Sequence, residues 1–195
     1  MPIDTKHNAV FVHIPKTGGK TVSAILGLRA GDRRVYYADE LTHMNIFHLR
    51  ERLNIDGMYA FAFVRNPYTK ILSEYNWRMR NISSFVFNEP TRQKMPFTEY
   101  MELLIDRWPW MTPYRERAHV LPQYTFIDNT VNVYRYEDFV SECERLKLRL
   151  GINKNTPHIN KGARKPEHTA RTIEIVNTLY AEDFKRFGYE LQTSP

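Results

Sequence analysis

The sequence predicts an α/β fold, a three-layer sandwich with helices on both faces of a central, mostly parallel sheet. Three observations carry that prediction. Two short apolar runs, Ala9–Ile14 and Tyr59–Val64, read as buried strands. Each is followed by a polar loop and then by helical periodicity. A third run, Thr130–Tyr134, repeats the alternation. Strands alternating with helices imply βαβ crossovers and parallel pairing.

The elements follow in order. Ala9–Ile14 is the first strand; the loop Pro15–Thr21 comes next, then a helical pattern to about Leu28. Arg33–Tyr37 has the look of a short second strand. Thr42 is a plausible N-cap for a helix to Leu53, ended by Asn54 and Gly57. Tyr59–Val64 stops abruptly at Arg65-Asn66-Pro67, and a helix starts at Pro67 or Tyr68, since proline suits a first turn. Asn88–Pro122 is rich in Pro and Trp and holds one helix, Phe97–Asp106, between loops; Trp108-Pro-Trp110 reads as a packed loop. A helix from Tyr136 to Leu150 is terminated by Gly151, and its basic run Arg145–Arg149 reads as a solvated face. The loop Asn153–Lys165 precedes a last helix, Glu167–Phe187.

Composition narrows the class. The 195 residues suit a single domain, 1–195. Hydrophobic residues at 42% exclude a disordered chain. Lys and Arg number 28 against 22 acidic residues, a net charge of +6 that favours anionic partners without choosing among them. The single cysteine, Cys143, excludes an internal disulfide. No apolar run reaches the ~18 residues of a membrane span, and a cytoplasmic protein is expected. Asn81-Ile82-Ser83 matches the glycosylation pattern by chance on that reading. The seven histidines have no metal-ligand spacing, so no catalytic metal is expected.

Both strongest strands run into loops rich in anion-binding groups, and ligands in open α/β sheets sit at such strand ends. In His13-Ile-Pro-Lys-Thr-Gly-Gly-Lys-Thr21, Gly18 and Gly19 let backbone N–H groups approach an anion. Lys16 and Lys20 add charge, and Thr17 and Thr21 add hydroxyl donors. A Gly-rich turn with solvated lysines is the bland alternative. The nucleoside-triphosphatase P-loop shares Gly19-Lys20-Thr21, but its first glycine would fall at Ile14. Arg65 also stands where that motif's second strand would supply a Mg2+-binding Asp. The arrangement is thus P-loop-like and phosphate-binding, with protein charge in place of metal. Beyond the second strand, Arg65 can grip a phosphate through parallel hydrogen bonds, and Ser73, two turns into the next helix, adds a short donor.

Together these motifs resemble the sulfotransferases that use 3′-phosphoadenosine 5′-phosphosulfate (PAPS), in the carbohydrate branch of the heparan-sulfate and chondroitin enzymes. Pro15–Thr21 resembles that family's 5′-phosphosulfate loop, and Arg65 with Ser73 its 3′-phosphate motif. His119-Val-Leu-Pro-Gln123 is similar to a segment near the acceptor. Tyr134–Phe139 resembles a strand-to-helix junction, His158–Arg164 a loop that closes over the nucleotide, and Tyr180–Tyr189 a C-terminal helix. Golgi members carry a membrane anchor and often disulfides; neither is expected here, and the acceptor-binding insertions are expected to be reduced.

The resemblance implies in-line transfer of the sulfuryl group from PAPS to an acceptor hydroxyl, with adenosine 3′,5′-bisphosphate as product and a saccharide as the expected acceptor. It makes Lys16 the group that stabilises the leaving phosphate. Pro15, Thr17, Gly18, Gly19, Lys20 and Thr21 would hold the 5′-phosphate, Arg65 and Ser73 the 3′-phosphate. Lys161, Gly162 and Arg164 would close over the nucleotide, and His119 and Gln123 would touch the acceptor. His43, 22 positions before Arg65 at a helix start, is the candidate base. A solvated or capping histidine is its alternative, and Glu40 a carboxylate substitute; His48 faces elsewhere, and His13 is a structural group. Two other classes stay open: an ATP·Mg2+ kinase, and a non-catalytic module for anions or glycans. Nucleic acid is not expected, because the basic residues gather in strand-end loops rather than along a stripe.

Overall fold

The computed structural model describes residues 3–28, 43–80, 85–86, 89–90, 95–110, 118–155 and 166–195. Arg33–Tyr37, Glu40, Thr42, Asn81–Ser83, Lys161, Gly162 and Arg164 lie outside them. The chain is α/β, and it divides into two compact units, Met1–Arg65 with Gln123–Asn160 and Asn66–Pro122 with Lys161–Pro195.

The first unit is built on a four-stranded sheet in the order β1 (Ile3–Asp4), β2 (Ala9–Phe11), β3 (Tyr59–Val64), β6 (Asn132–Arg135). β2, β3 and β6 are parallel, in the register Phe11↔Phe61 and Val64↔Arg135. β1 pairs antiparallel with β2; it is too short and too polar to announce itself in the sequence. β2 ends three residues before the expected Ile14, yet Val12 still donates its N–H to the Phe61 carbonyl at 2.8 Å. β6 starts two residues after the expected Thr130 and ends one residue after Tyr134.

Alternation along the strands sorts the side chains. Ala9, Phe11, Phe61, Phe63 and Tyr134 share one face, against Val22, Ile25 and Leu26 from α1 (Gly19–Ile25) and Cys143 and Leu146 from α5 (Phe139–Leu150). Phe11 stacks on Phe61 and Phe63 on Tyr134, each pair 5.2 Å between ring centroids. Val10, Ala62 and Val64 alternate to the opposite face and are equally buried, so the sheet is covered on both sides. Burial pushes the Cys143 thiol up to about 12, which makes it an inert core group.

Two expectations for this unit are corrected. The helix α2 (Ile46–Arg52) starts after Asn45, whose side chain accepts the His48 N–H, so His43 precedes the helix instead of opening it. The basic run of α5 is also more than a solvated face. Arg145 lies 4.5 Å over the Tyr134 ring, Arg149 lies 4.9 Å over Tyr59, and largely buried Lys147 pairs with Glu144 at 2.8 Å.

The second unit packs α3 (Pro67–Arg80), α4 (Phe97–Arg107), α6 (Ala170–Leu179) and α7 (Ala181–Phe187) around one apolar cluster, with a short hairpin β4 (Phe85–Val86) and β5 (Glu89–Pro90). α3 begins at Pro67 as expected, and the Asn66 carboxamide accepts the Tyr68 N–H at 3.0 Å. The expected single last helix is two. Thr169 and Thr172 form a reciprocal cap at the start of α6, and the chain breaks at Tyr180. The Tyr180 ring is buried, and its hydroxyl donates to the Val120 carbonyl at 2.7 Å; this anchor sets the break, not any helix-breaking residue. Trp108 stands edge-on to the same ring at 5.8 Å, in the 3-10 turn Trp108–Trp110.

A charged stripe runs through this core. Lys70, Glu74 and Arg78 recur every four residues on α3, and all three are at most 2% exposed. Glu74 accepts from Arg78 Nε at 2.6 Å and pairs with His119 Nδ1 at 2.9 Å. Lys70 Nζ donates to the carbonyls of His119 and Leu121 at 3.0 and 3.2 Å. Such spacing normally marks a solvated helix face. Here the charges satisfy one another and the chain segment opposite.

Candidate functional site

The loop between β2 and α1 is shaped by two residues with left-handed backbones. Lys16 has φ 68° and Gly18 φ 91°. For Gly18 the space is as restrictive as the torsion, since an added Cβ would run into the ring of Phe139. At Gly19 an added Cβ would meet the imidazole of His13. The two glycines are therefore demanded by side chains packed against them. The first bonds of α1 run from the Thr21 and Val22 N–H groups to the Gly18 carbonyl, at 2.9 and 3.3 Å. The N–H groups before Thr21 have no carbonyl one turn back within the helix.

The hydroxyls of the loop divide. Thr17 is fully buried and its Oγ1 donates to the Ile14 carbonyl at 2.8 Å. A hydroxyl has one hydrogen, so this one braces the loop and is not offered to an anion. Thr21 is also buried, but its Oγ1 has no hydrogen-bond partner among the described residues. A buried hydroxyl at the start of α1, beside half-buried Lys16 and exposed Lys20, fits a bound oxyanion.

Arg65 enters from the end of β3. It is 6% exposed, and its Nη1 donates to the Lys16 carbonyl at 3.1 Å. The guanidinium carbon lies 4.2 Å from the Tyr136 ring centroid. That bond ties the two strand-end anion groups together, and it lands on the residue whose backbone is strained.

His43 stands beside the loop. Its Nδ1 lies 3.0 Å from the His13 carbonyl, and the two imidazoles are 4.5 Å apart. A carbonyl only accepts, so Nδ1 carries the hydrogen, and Nε2 is the basic nitrogen of the neutral ring. His43 has φ 72°, an uncommon conformation for a residue without glycine's freedom.

A strand-end lysine loop, an arginine at the neighbouring strand end and a tautomer-defined histidine come together within the first unit. A sequence model described as the sulfotransferase family matches residues 1–190. The chain belongs to the sulfotransferase family. Comparison with curated proteins and with solved structures returned no match.

In this sulfotransferase the first unit gathers Pro15, Lys16, Thr17, Gly18, Gly19, Lys20, Thr21, His43 and Arg65 around one loop. Gln123 belongs to the same unit; it is fully buried, and its amide holds the main chain of Arg65. Ser73 and His119 belong to the second unit. Ser73 is half-buried on α3. His119 is held through Nδ1 by buried Glu74, and its ring tilts against Trp77 at 4.9 Å. Phe139 and Tyr136, which shape the loop and seat Arg65, fall in the Tyr134–Phe139 segment, which the sequence marks as a strand-to-helix junction without giving either residue a role. Their signal was available: they follow a strand that pairs with β3, in the register Val64↔Arg135. Among the described residues no helix is long and apolar enough to cross a membrane.

Proposed function

We propose that this sulfotransferase uses PAPS as donor, transfers its sulfuryl group to a hydroxyl of a saccharide, and works in the cytoplasm. The observation that carries the donor reading is the bond from Arg65 Nη1 to the Lys16 carbonyl, 3.1 Å, which brings two phosphate-binding cations from adjacent strands into one site. PAPS carries phosphate at both ends of its ribose, and a site with two separate anion grips suits that charge pattern better than a single triphosphate run.

Bound PAPS supplies a sulfuryl group on a phosphate leaving group. Around it, the N–H groups at Gly18, Gly19 and Lys20 and the orphaned Thr21 hydroxyl hold the 5′-phosphate. Lys16 places its ammonium where charge develops as the leaving oxygen departs. Arg65 grips the 3′-phosphate through its planar fork. His43 takes the acceptor's hydroxyl proton at Nε2, with Nδ1–H anchored on His13. The saccharide acceptor rests on the family resemblance. The cytoplasm is supported by the lone, buried Cys143.

Calorimetric titration with adenosine 3′,5′-bisphosphate tests the reading, with adenosine 5′-monophosphate and ATP·Mg2+ as controls. Saturable binding of the bisphosphate, weaker for the monophosphate and falling to the monophosphate's level in Arg65→Ala, is the expected result. Saturable ATP·Mg2+ binding with none of the bisphosphate would overturn it in favour of a kinase. Bisphosphate binding without sulfate transfer from PAPS to any saccharide in a broad panel would leave a non-catalytic family member.

A further inference from the structure

Arg65 sits where the sheet ladder runs out. Tyr59 donates its N–H to the Asn8 carbonyl and Val12 donates to the Phe61 carbonyl, both at 2.8 Å, so odd-numbered residues of β3 direct their main-chain groups toward β2. Val64, even-numbered, accepts from the Tyr136 N–H on the β6 side at 2.8 Å. Arg65 is next in the odd series, but β2 has ended at Phe11 and turned into the lysine loop. Buried peptide groups at such an edge need other partners.

Gln123 supplies them. Its Oε1 accepts the Arg65 N–H at 2.8 Å, and its Nε2 donates to the Arg65 carbonyl at 2.7 Å. The amide is fully buried and stands in for one residue of a missing strand. Among side chains only Asn and Gln place a neutral donor and acceptor side by side in this way. On the side-chain end of the same residue, the Tyr136 ring lies against the guanidinium at 4.2 Å. That ring is brought there by the register of β6 on β3.

We infer that Gln123 and Tyr136 are positioning residues for Arg65. The amide holds the main chain from which the side chain departs, and the aromatic ring holds the plane of the guanidinium. A long arginine side chain loses much rotamer freedom when it grips a phosphate, and a seat fixed in advance lowers that loss. The inference rests on the reading of Arg65 as the ligand of the 3′-phosphate. It makes Gln123 a determinant of donor recognition, 58 positions along the chain from the group that it serves.

The test measures selectivity, the ratio of the dissociation constants of adenosine 5′-monophosphate and adenosine 3′,5′-bisphosphate, by calorimetry on the full chain. Gln123→Leu and Tyr136→Leu are each expected to lower the ratio about tenfold, the order of one hydrogen bond to a charged group. Tyr136→Phe restores what Tyr136→Leu loses, because the ring is kept. In the Arg65→Ala background Gln123→Leu adds no further loss, as expected of residues that act through one another. A folded Gln123→Leu or Tyr136→Leu protein with the wild-type ratio would overturn the inference, as would an additive loss in the double variant. If Gln123→Leu does not fold, the Tyr136→Leu and Tyr136→Phe pair decides. A wild-type protein that does not prefer the bisphosphate would sink the donor reading itself, and this inference with it.

Discussion

His43 anchors its Nδ1 hydrogen on the main-chain carbonyl of His13 at 3.0 Å, and the two rings lie 4.5 Å apart. His13, at the entry to the loop between β2 and α1, thus sets the tautomer of the histidine beside it. This bond decides which nitrogen can work as a base, and it costs His43 an uncommon backbone conformation, φ 72°.

His43→Gln is expected to lower kcat by ~10²–10⁴, the usual worth of a general base. Affinity for adenosine 3′,5′-bisphosphate should stay near wild type, because the proposed role of the ring is on the acceptor side of the reaction. Steady-state kinetics beside calorimetry separates the two. A parallel fall in both would show that His43 supports the loop instead.

Gly19→Ala should lower stability by about 1–3 kcal/mol, the usual cost of forcing atoms into filled space. The added methyl meets the His13 ring. His13→Ala opens that space, so the double variant is expected to be more stable than the sum of the single losses predicts. Denaturant midpoints for the four proteins give the coupling, and strict additivity would refute the contact.

Arg78→Ala should destabilise the chain by about 3–5 kcal/mol, since it leaves the fully buried Glu74 without its closest cation. Replacing Glu74 and Arg78 together by apolar residues of similar size should cost less than Arg78→Ala alone. Urea unfolding of the three proteins checks the order.

Two groups tie stability to pH, in opposite parts of the acid range. Burial holds the His168 pKa below its usual 6.5, and its Nε2 donates to the Tyr68 carbonyl at 3.1 Å. The unfolded chain binds that proton more readily, so the contribution is whole above about pH 6.5 and is lost as pH falls toward the folded value. His168→Gln should flatten the melting temperature between pH 7.5 and 5.5. Further down, hydrogen bonds from Arg50 lower the Asp128 pKa to about 2 from 3.8, so that stabilisation holds above 3.8 and fades as pH drops to 2. Asp128→Asn should cost no more than ~1 kcal/mol at pH 7, because the pair is partly solvated. Melting curves across the range check both.

Much of the candidate site was legible in the chain because its signals are local. Tyr59–Val64 is a strand of six apolar residues that ends in Arg65, and Pro15–Thr21 joins a strand to a helix through two glycines. Strand periodicity, loop composition and proline at a helix start act over a few neighbouring residues, and each survives folding unchanged. They were enough to define the α/β class, the loop between β2 and α1, the arginine after β3 and the start of α3.

What the tertiary structure decided is which of these residues touch. Lys70, Glu74 and Arg78 carry the periodicity of a solvated face, and are buried because His119 and Leu121 bring matching groups to them. Thr17 reads as a phosphate donor until the Ile14 carbonyl takes its hydrogen. Gln123 reads as an acceptor contact until β2 turns away and leaves the main chain of Arg65 to be satisfied. A buried polar group must find a partner, and which partner is near depends on strand register and helix packing across distant parts of the chain. The sequence by itself determined the class, the loop and the charges; folding determined what those charges and hydroxyls are tied to.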